Sequence, residues 1–200
     1  MMEKRFLVFI GRPNSGKSNI IRKITGLKTR SGKRPGTTRK ISIYPLSRGL
    51  SLVDMPGYGR ITGASKSVTS QVKDETLDFI EMNREAIILV VHVLDLSTFR
   101  EISERMERKN LIPIDLEMIQ YIWETIGEMP LVVTNKIDKV VGDRDEIIND
   151  LKNRLDEYIP KTSYALYPTS ALTEEGLGKL KDIIHRKLSE KGLRAPFSGY

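Results

Sequence analysis

Gly11-Arg12-Pro13-Asn14-Ser15-Gly16-Lys17-Ser18 is the stretch whose reading decides the fold. An apolar run, Phe6-Leu7-Val8-Phe9-Ile10, precedes it, and a run with helical spacing, Asn19-Ile20-Ile21-Arg22-Lys23-Ile24, follows. Strand, glycine-rich turn and helix, with G-x-x-x-x-G-K-[ST] at the turn, is the arrangement of a phosphate-binding P-loop. Glycine at positions 11 and 16 lets the backbone curl with its N–H groups facing inward, where a side chain would obstruct. The helix that begins there turns its unpaired N–H groups and positive dipole end toward the same anion. Lys17 supplies a point charge for the β- and γ-phosphates, and Ser18 a hydroxyl for Mg²⁺.

Outward from this turn, composition narrows the choices. The 200 residues suit one domain, and 39% apolar with 30% charged residues suits a globular protein. We read residues 1–190 as a single nucleotide-binding domain and 191–200 as a short basic tail that frays. The absence of cysteine excludes disulfides, thiol catalysis and cysteine-ligated zinc, and fits a reducing cytoplasm. The longest apolar run, Ala86 to Leu94, is too short to span a bilayer, so no membrane association is expected. Glu3-Lys4-Arg5 ahead of Phe6–Ile10 looks like a miniature signal peptide. It runs straight into the P-loop without a small-residue cleavage site, and reads as the first strand. The net charge of +7 is unevenly spread: residues 1–60 hold 14 Lys/Arg against 2 Asp/Glu, and residues 61–200 hold 19 against 24. A basic phosphate-binding half points to a polyanionic partner beyond the nucleotide.

Further along, Gly26 stops the first helix, and Lys28 to Lys40 carries six cations and no acid, a polar loop. Its Pro35-Gly36-Thr37-Thr38 offers a hydroxyl that can close over γ-phosphate and Mg²⁺. Ile41–Leu46 alternates as a half-buried strand, and Leu50–Asp54 returns after Gly49. Asp54 opens Asp54-Met55-Pro56-Gly57-Tyr58-Gly59, where a carboxylate can hold Mg²⁺ and Gly57 lets an N–H reach a terminal phosphate. Val72–Met82 has helical spacing. Ala86–Leu94 is a central parallel strand, with His92 as a packed core histidine. Asp95–Asn110 is dense in charge and reads as a solvated insertion. Ile114–Ile126 is an amphipathic helix with Trp123 as a packing residue, stopped by Gly127. Strands at Pro130–Thr134 and Ser163–Thr169 and helices containing Ile147–Tyr158 and Leu177–Leu188 complete the alternation. The result is a three-layer α/β domain, its mainly parallel sheet covered by helices on both faces. Ligands of such sheets sit beyond the carboxyl ends of the strands, where Lys17, Asp54, Asn135 and Ser170 all fall.

Asn135-Lys136-Ile137-Asp138 carries a base preference. Guanine presents N1–H and the N2 amine side by side, and the Asp138 carboxylate can accept both. Adenine has an acceptor at N1 and no such amine. A site built on those bonds rejects the analogue by roughly 10⁴-fold. Asn135 can tie neighbouring loops to the base, and Lys136 can lie along its face.

Taken in order, GRPNSGKS, PGTT, DMPGYG, TNKID and TSAL resemble the five nucleotide-contacting motifs of translation-factor-like P-loop GTPases. DMPGYG and a single compact domain, over roughly Arg5 to Leu188, resemble more narrowly the EngB (YihA) family of ribosome-assembly GTPases, within the Era/EngA/EngB-like superfamily. The resemblance implies the small G-protein form of the P-loop fold, a six-stranded mainly parallel sheet whose second strand is antiparallel. It implies that Gly11, Arg12, Pro13, Asn14, Ser15, Gly16, Lys17, Ser18 and Asn19, with Gly36, Thr37, Thr38 and Gly57, surround the phosphates of GTP. Lys17, Thr38 and Gly57 would then be catalytic, and Ser18, Thr38 and Asp54 would hold Mg²⁺. Asn135, Lys136, Asp138, Ser170, Ala171 and Leu172 would read guanine.

Two positions depart from the family pattern: Arg39 stands where glutamine follows the switch I threonine, and Asp95–Pro113 is longer than usual. Many GTPases also place glutamine after the switch II glycine to orient the attacking water. Tyr58 occupies that position, so slow intrinsic hydrolysis raised by a partner is expected. Asn14 brings in K⁺, which relatives with asparagine there hold beside the phosphates. The partners expected are GTP and GDP and ribosomal RNA or a pre-ribosomal particle of the large subunit, bound by a cytoplasmic monomer. The competing readings are a GTPase switch acting on a protein partner without nucleic acid, and an ATP-using kinase, against which Asp138 argues.

Overall fold

The computed structural model describes residues 4–28, 40–59, 66–159, 164–194 and 197. The first strand, β1 (Arg5–Gly11), lies at the centre of the sheet, parallel to β3 (Leu50–Asp54) on one side and β4 (Ile87–Asp95) on the other. Beyond β4 come β5 (Leu131–Asn135) and β6 (Leu166–Pro168), both parallel. β2 (Ser42–Ser47) runs antiparallel along β3, so the order is β2-β3-β1-β4-β5-β6. This is the six-stranded sheet with one antiparallel strand that the family resemblance implies. Pro45 sits in β2, an edge strand, where a missing N–H donor is tolerated.

Alternation along the buried strands sorts side chains into two layers. Leu7 and Phe9 of β1 face one way, with Leu89, Val91 and Val93 of β4. They meet Ile20, Ile21 and Ile24 of α1 (Lys17–Thr25) and Leu177, Leu180, Ile184 and Leu188 of α6 (Leu177–Glu190). Phe6, Val8 and Ile10 face the other way, onto Ile80 of α2 (Lys66–Met82) and Met118 and Ile122 of α4 (Ile114–Ile126). On that second face, α3 (Leu96–Glu107) and α5 (Arg144–Tyr158) pack together under β5. Helices α1 and α4 stop at Gly26 and Gly127, as the sequence predicts.

Three expectations change. Asp95–Asn110 is no solvated insertion: Asp95 ends β4 and caps α3 by accepting from the Ser97 N–H, and Leu96 and Phe99 are buried against Leu151 and Leu155. The tail does not simply fray, because Phe197 is 6% exposed in the α1/α6 core, its ring 4.8 Å edge-on from that of His185. Finally, α2 begins at Lys66, earlier than its apolar spacing from Val72 indicates. The physical reason is common to the first two: a few apolar residues among many charges are enough to bury one helical stripe or one tail contact.

Candidate nucleotide site

Strand register assembles the site. Phe9 lies opposite Asp54, Gly11 opposite Val93, and Asp95 opposite Asn135, so the loops after β1, β3, β4 and β5 emerge along one edge. The P-loop turns there through positive φ at Asn14 (65°) and Gly16 (94°). A Cβ at Gly16 would lie 2.1 Å from Asn135 Nδ2, and one at Gly11 would lie 2.2 Å from the Val93 carbonyl oxygen. Only glycine fits either place. α1 follows with no side-chain cap and no acid in its first turn, which leaves its amino end positive.

Lys17, Ser18 and Asp54 meet inside this cradle. Lys17 Nζ is 3.2 Å from Asp54 Oδ1, and Ser18 Oγ donates to Asp54 Oδ2 over 2.9 Å. Lys17 and Asp54 are both buried, yet no hydrogen bond is aligned on Asp54 Oδ1. A hydroxyl beside a carboxylate is an oxygen donor set for a hard cation. Among the described residues no group of three acids, histidines or cysteines could cage a metal unaided. That suits Mg²⁺, which takes one or two protein oxygens and completes its shell with phosphate and water. Gly57 closes over the cradle: a Cβ there would stand 2.5 Å from the Pro13 nitrogen. Gly36, Thr37 and Thr38 lie outside the described residues.

At the other end, one amide joins three loops. Asn135 Nδ2 donates to the Ser15 carbonyl (2.8 Å), and its Oδ1 accepts from the Ala171 N–H (3.0 Å) and Thr169 Oγ1 (3.4 Å). Asn135 thus holds loop to loop. Asp138 is oriented by Ser170, whose hydroxyl donates to Oδ1 and accepts from the N–H groups of Leu172 (3.2 Å) and Thr173 (3.0 Å). Lys136, at φ 65°, extends its ammonium to Asp95 Oδ2, a partner the sequence does not reveal. Asn19, Ala171 and the exposed Leu172, with Arg22 and Lys23, line a hollow of about 390 Å³ beside these loops.

A second polar cluster behind the P-loop escapes sequence reading. Tyr58 is fully buried; its hydroxyl donates to Asp115 Oδ1 (2.8 Å) and meets His92 Nε2. With the phenol proton given to Asp115, the His92 Nε2–H donates to the phenolic oxygen, which leaves Nδ1 buried without a partner. Arg12 Nη1 stands 3.8 Å from Asp115 Oδ2. Burial lowers His92 to a pKa of about 3 and keeps it neutral. Burial also raises Asp115 to about 6, against the opposing pull of Arg12 and the Tyr58 hydrogen bond, and holds the Tyr58 phenol well above its ordinary value. P-loop, switch II, β4 and α4 are joined by these four side chains. No local motif marks them, because Arg12 and Asp115 are 103 positions apart.

A glycine-hinged P-loop, a serine and lysine meeting the carboxylate at the end of β3, and TNKID at the end of β5, on this sheet, are the arrangement of a P-loop GTPase. The sequence profile described as "50S ribosome-binding GTPase" matches residues 6–136. The chain is 38% identical over 191 residues to a probable GTP-binding protein EngB of Methanopyrus kandleri, covering 93% of each. It is 37% identical to one of Pyrococcus horikoshii, covering 92% of this chain and 84% of that one. A crystal structure of a probable GTP-binding protein engB matches at a TM-score of 0.80 and 36% identity, over 92% of this chain and 99% of that chain. The chain belongs to the EngB family of GTP-binding proteins. Era in complex with MgGDPNP and nucleotides 1506–1542 of 16S ribosomal RNA shares the fold, at 21% identity and a TM-score of 0.61, over 92% of this chain and 56% of that one. Among the described residues no helix is long and apolar enough to cross a membrane.

Proposed function

We propose that this GTPase is a nucleotide-dependent switch in assembly of the large ribosomal subunit, acting in the cytoplasm as a monomer with residues 1–190 as its GTP-binding domain. The observation that carries the reading is the match of residues 6–136 to a family described as 50S ribosome-binding GTPases. The basic bias of residues 1–60 supports a nucleic-acid partner.

In this reading the P-loop, from Gly11 to Asn19, holds the phosphates, with Lys17 neutralising the charge that develops on them. Ser18 and Asp54, already paired, would hold Mg²⁺ together with Thr38, and Gly36 and Thr37 of switch I would face the phosphates. The ion supplies charge neutralisation at the β- and γ-phosphate oxygens. Gly57 offers its N–H to the γ-phosphate. Asp138, held by Ser170, accepts the guanine N1–H and N2 amine; Ala171 and Leu172 offer backbone N–H groups, and Lys136 flanks the ring. Hydrolysis by the isolated chain is slow. The Tyr58 hydroxyl is committed to Asp115 and His92, so the position after Gly57 offers nothing to orient water.

Co-sedimentation with ribosomal subunits, in GDP and in a non-hydrolysable GTP analogue, tests the switch. Binding to large subunits or their precursors in one nucleotide state is expected. Equal absence in both states would reject the reading and favour a protein partner. Exposed Asn14 at positive φ supports K⁺ beside the phosphates. Hydrolysis is then faster in KCl than in NaCl, and equal rates would remove K⁺ from the account.

A further inference from the structure

The sheet separates two helical layers of opposite charge. The helices α1 and α6 together hold seven lysines and arginines against two acids, whereas α2, α3, α4 and α5 hold seven against fifteen. The primary structure hides this division, because α6 lies in the half of the chain whose net charge is negative. Folding lays it against α1 and moves its cations to the basic side.

The two sets of cations differ in their partners as well. On the acidic layer, Arg100 pairs with Glu146, Arg154 with Glu107 and Asp150, and Arg144 with Glu175. On the basic layer Lys23 and Lys187 do pair, with Glu174 and Glu190. Lys179 and Arg186, both exposed and seven residues apart on α6, make no ion pair among the described residues. Seven residues are about two helical turns, so the two cations project from one face. Arg48 and Arg194 extend the patch. Ser47 Oγ donates to the Arg194 carbonyl over 2.7 Å, which brings the β2–β3 turn to the rim of the layer.

We propose that the α1/α6 layer is the surface on which this chain docks RNA, through contacts to phosphodiester groups. The proposal rests on the ribosomal reading above and adds to it the face that is used. Charge without an apolar centre is what favours RNA over an acidic protein. The exposed large apolar residues among those described are Ile43, Met82, Leu111, Ile112, Val141 and Leu172; none is on α1 or α6, and Leu172 borders α1 beside Arg22 and Lys23 as a single side chain rather than a patch. Protein interfaces rest on a few buried apolar or aromatic anchors. Phosphate contacts need only cations spread over a face. The layer also leads into the phosphate site, since α1 begins at Lys17, so RNA on it lies beside the bound nucleotide without covering switch II.

The test is binding of labelled large-subunit ribosomal RNA by the full chain, across a series of salt concentrations and in both nucleotide states. The double variant Lys179→Glu, Arg186→Glu is compared with Lys109→Glu, Lys152→Glu, which makes the same charge change at exposed positions on the opposite side. The α6 pair should weaken binding about tenfold at moderate salt and flatten the log–log salt slope by about 1.4, two phosphate contacts at roughly 0.7 each on single-stranded RNA. The opposite pair should stay within about twofold of wild type. GDP affinity and GTP hydrolysis without RNA should be unchanged in both. Equal weakening by the two pairs would mean that net charge alone matters, and would overturn the proposal. An unaffected α6 pair would place RNA elsewhere and leave the ribosomal reading standing. Wild-type protein that binds no RNA in either state would remove both.

Discussion

His92 shows how one buried side chain couples stability to pH. Its ring is held neutral at the carboxyl half of β4 with a folded-state pKa of about 3, against about 6.5 in the unfolded chain. Between those values the unfolded state binds the proton that the folded state refuses, so this residue makes stability rise with pH from about 3 to 6.5. Asp115 works in the opposite sense. Its carboxyl, raised to about 6, takes up a proton in the folded state before it does so unfolded, which favours folding as pH falls from 6 toward 4. His92→Gln should therefore remove a large part of the stability lost between pH 6.5 and 4.5. Urea denaturation of both proteins at the two pH values measures it. Identical pH slopes would show that the imidazole titrates freely in the folded protein. The same cluster explains why Tyr58 is a poor stand-in for glutamine: it is buried and doubly hydrogen-bonded, an anchor for switch II.

Helix α3 illustrates what charge density hides. Its 12 residues include five that are charged, and the sequence reads there as an exposed insertion. About three turns of helix need only one buried stripe, and Leu96, Phe99 and buried Ser103 provide it against α5 and α4. Asp95 at its start serves both sides, capping α3 and pairing with Lys136 of TNKID. Phe99→Ala should cost about 3–5 kcal/mol, the range for truncating a buried aromatic. A solvated insertion would lose no more than about 0.5 kcal/mol. Equilibrium denaturation separates the two. The motifs themselves were legible element by element. The P-loop, TNKID and TSAL each place their residues within a few positions of one strand end, so local spacing is enough to find them. The role of Ser170 as the group that orients Asp138 was not legible, because the two belong to different loops.

At the scale of the molecule, the nucleotide site is a joint between loops that the sheet brings together. Asn135 alone links the P-loop, β5 and the loop after β6. Nucleotide should therefore stabilise the whole fold. With free GDP at 100 times its dissociation constant the linkage gain is about 2.7 kcal/mol, a rise in Tm of roughly 5–10 °C for a chain of this size. Thermal melts with GDP and with ADP measure it, and equal shifts would deny the guanine selectivity assigned to Asp138. The strands, the helices other than α3, and the P-loop and TNKID motifs could be read from the linear chain, because periodicity and short-range spacing encode them. Three features were decided only by folding: the Tyr58–His92–Asp115–Arg12 cluster, the docking of Phe197, and the division into a basic and an acidic helical layer. Each depends on which distant segments share one side of a sheet, and that is set by the pairing of β1 with β3 and β4, not by any residue's neighbours in sequence.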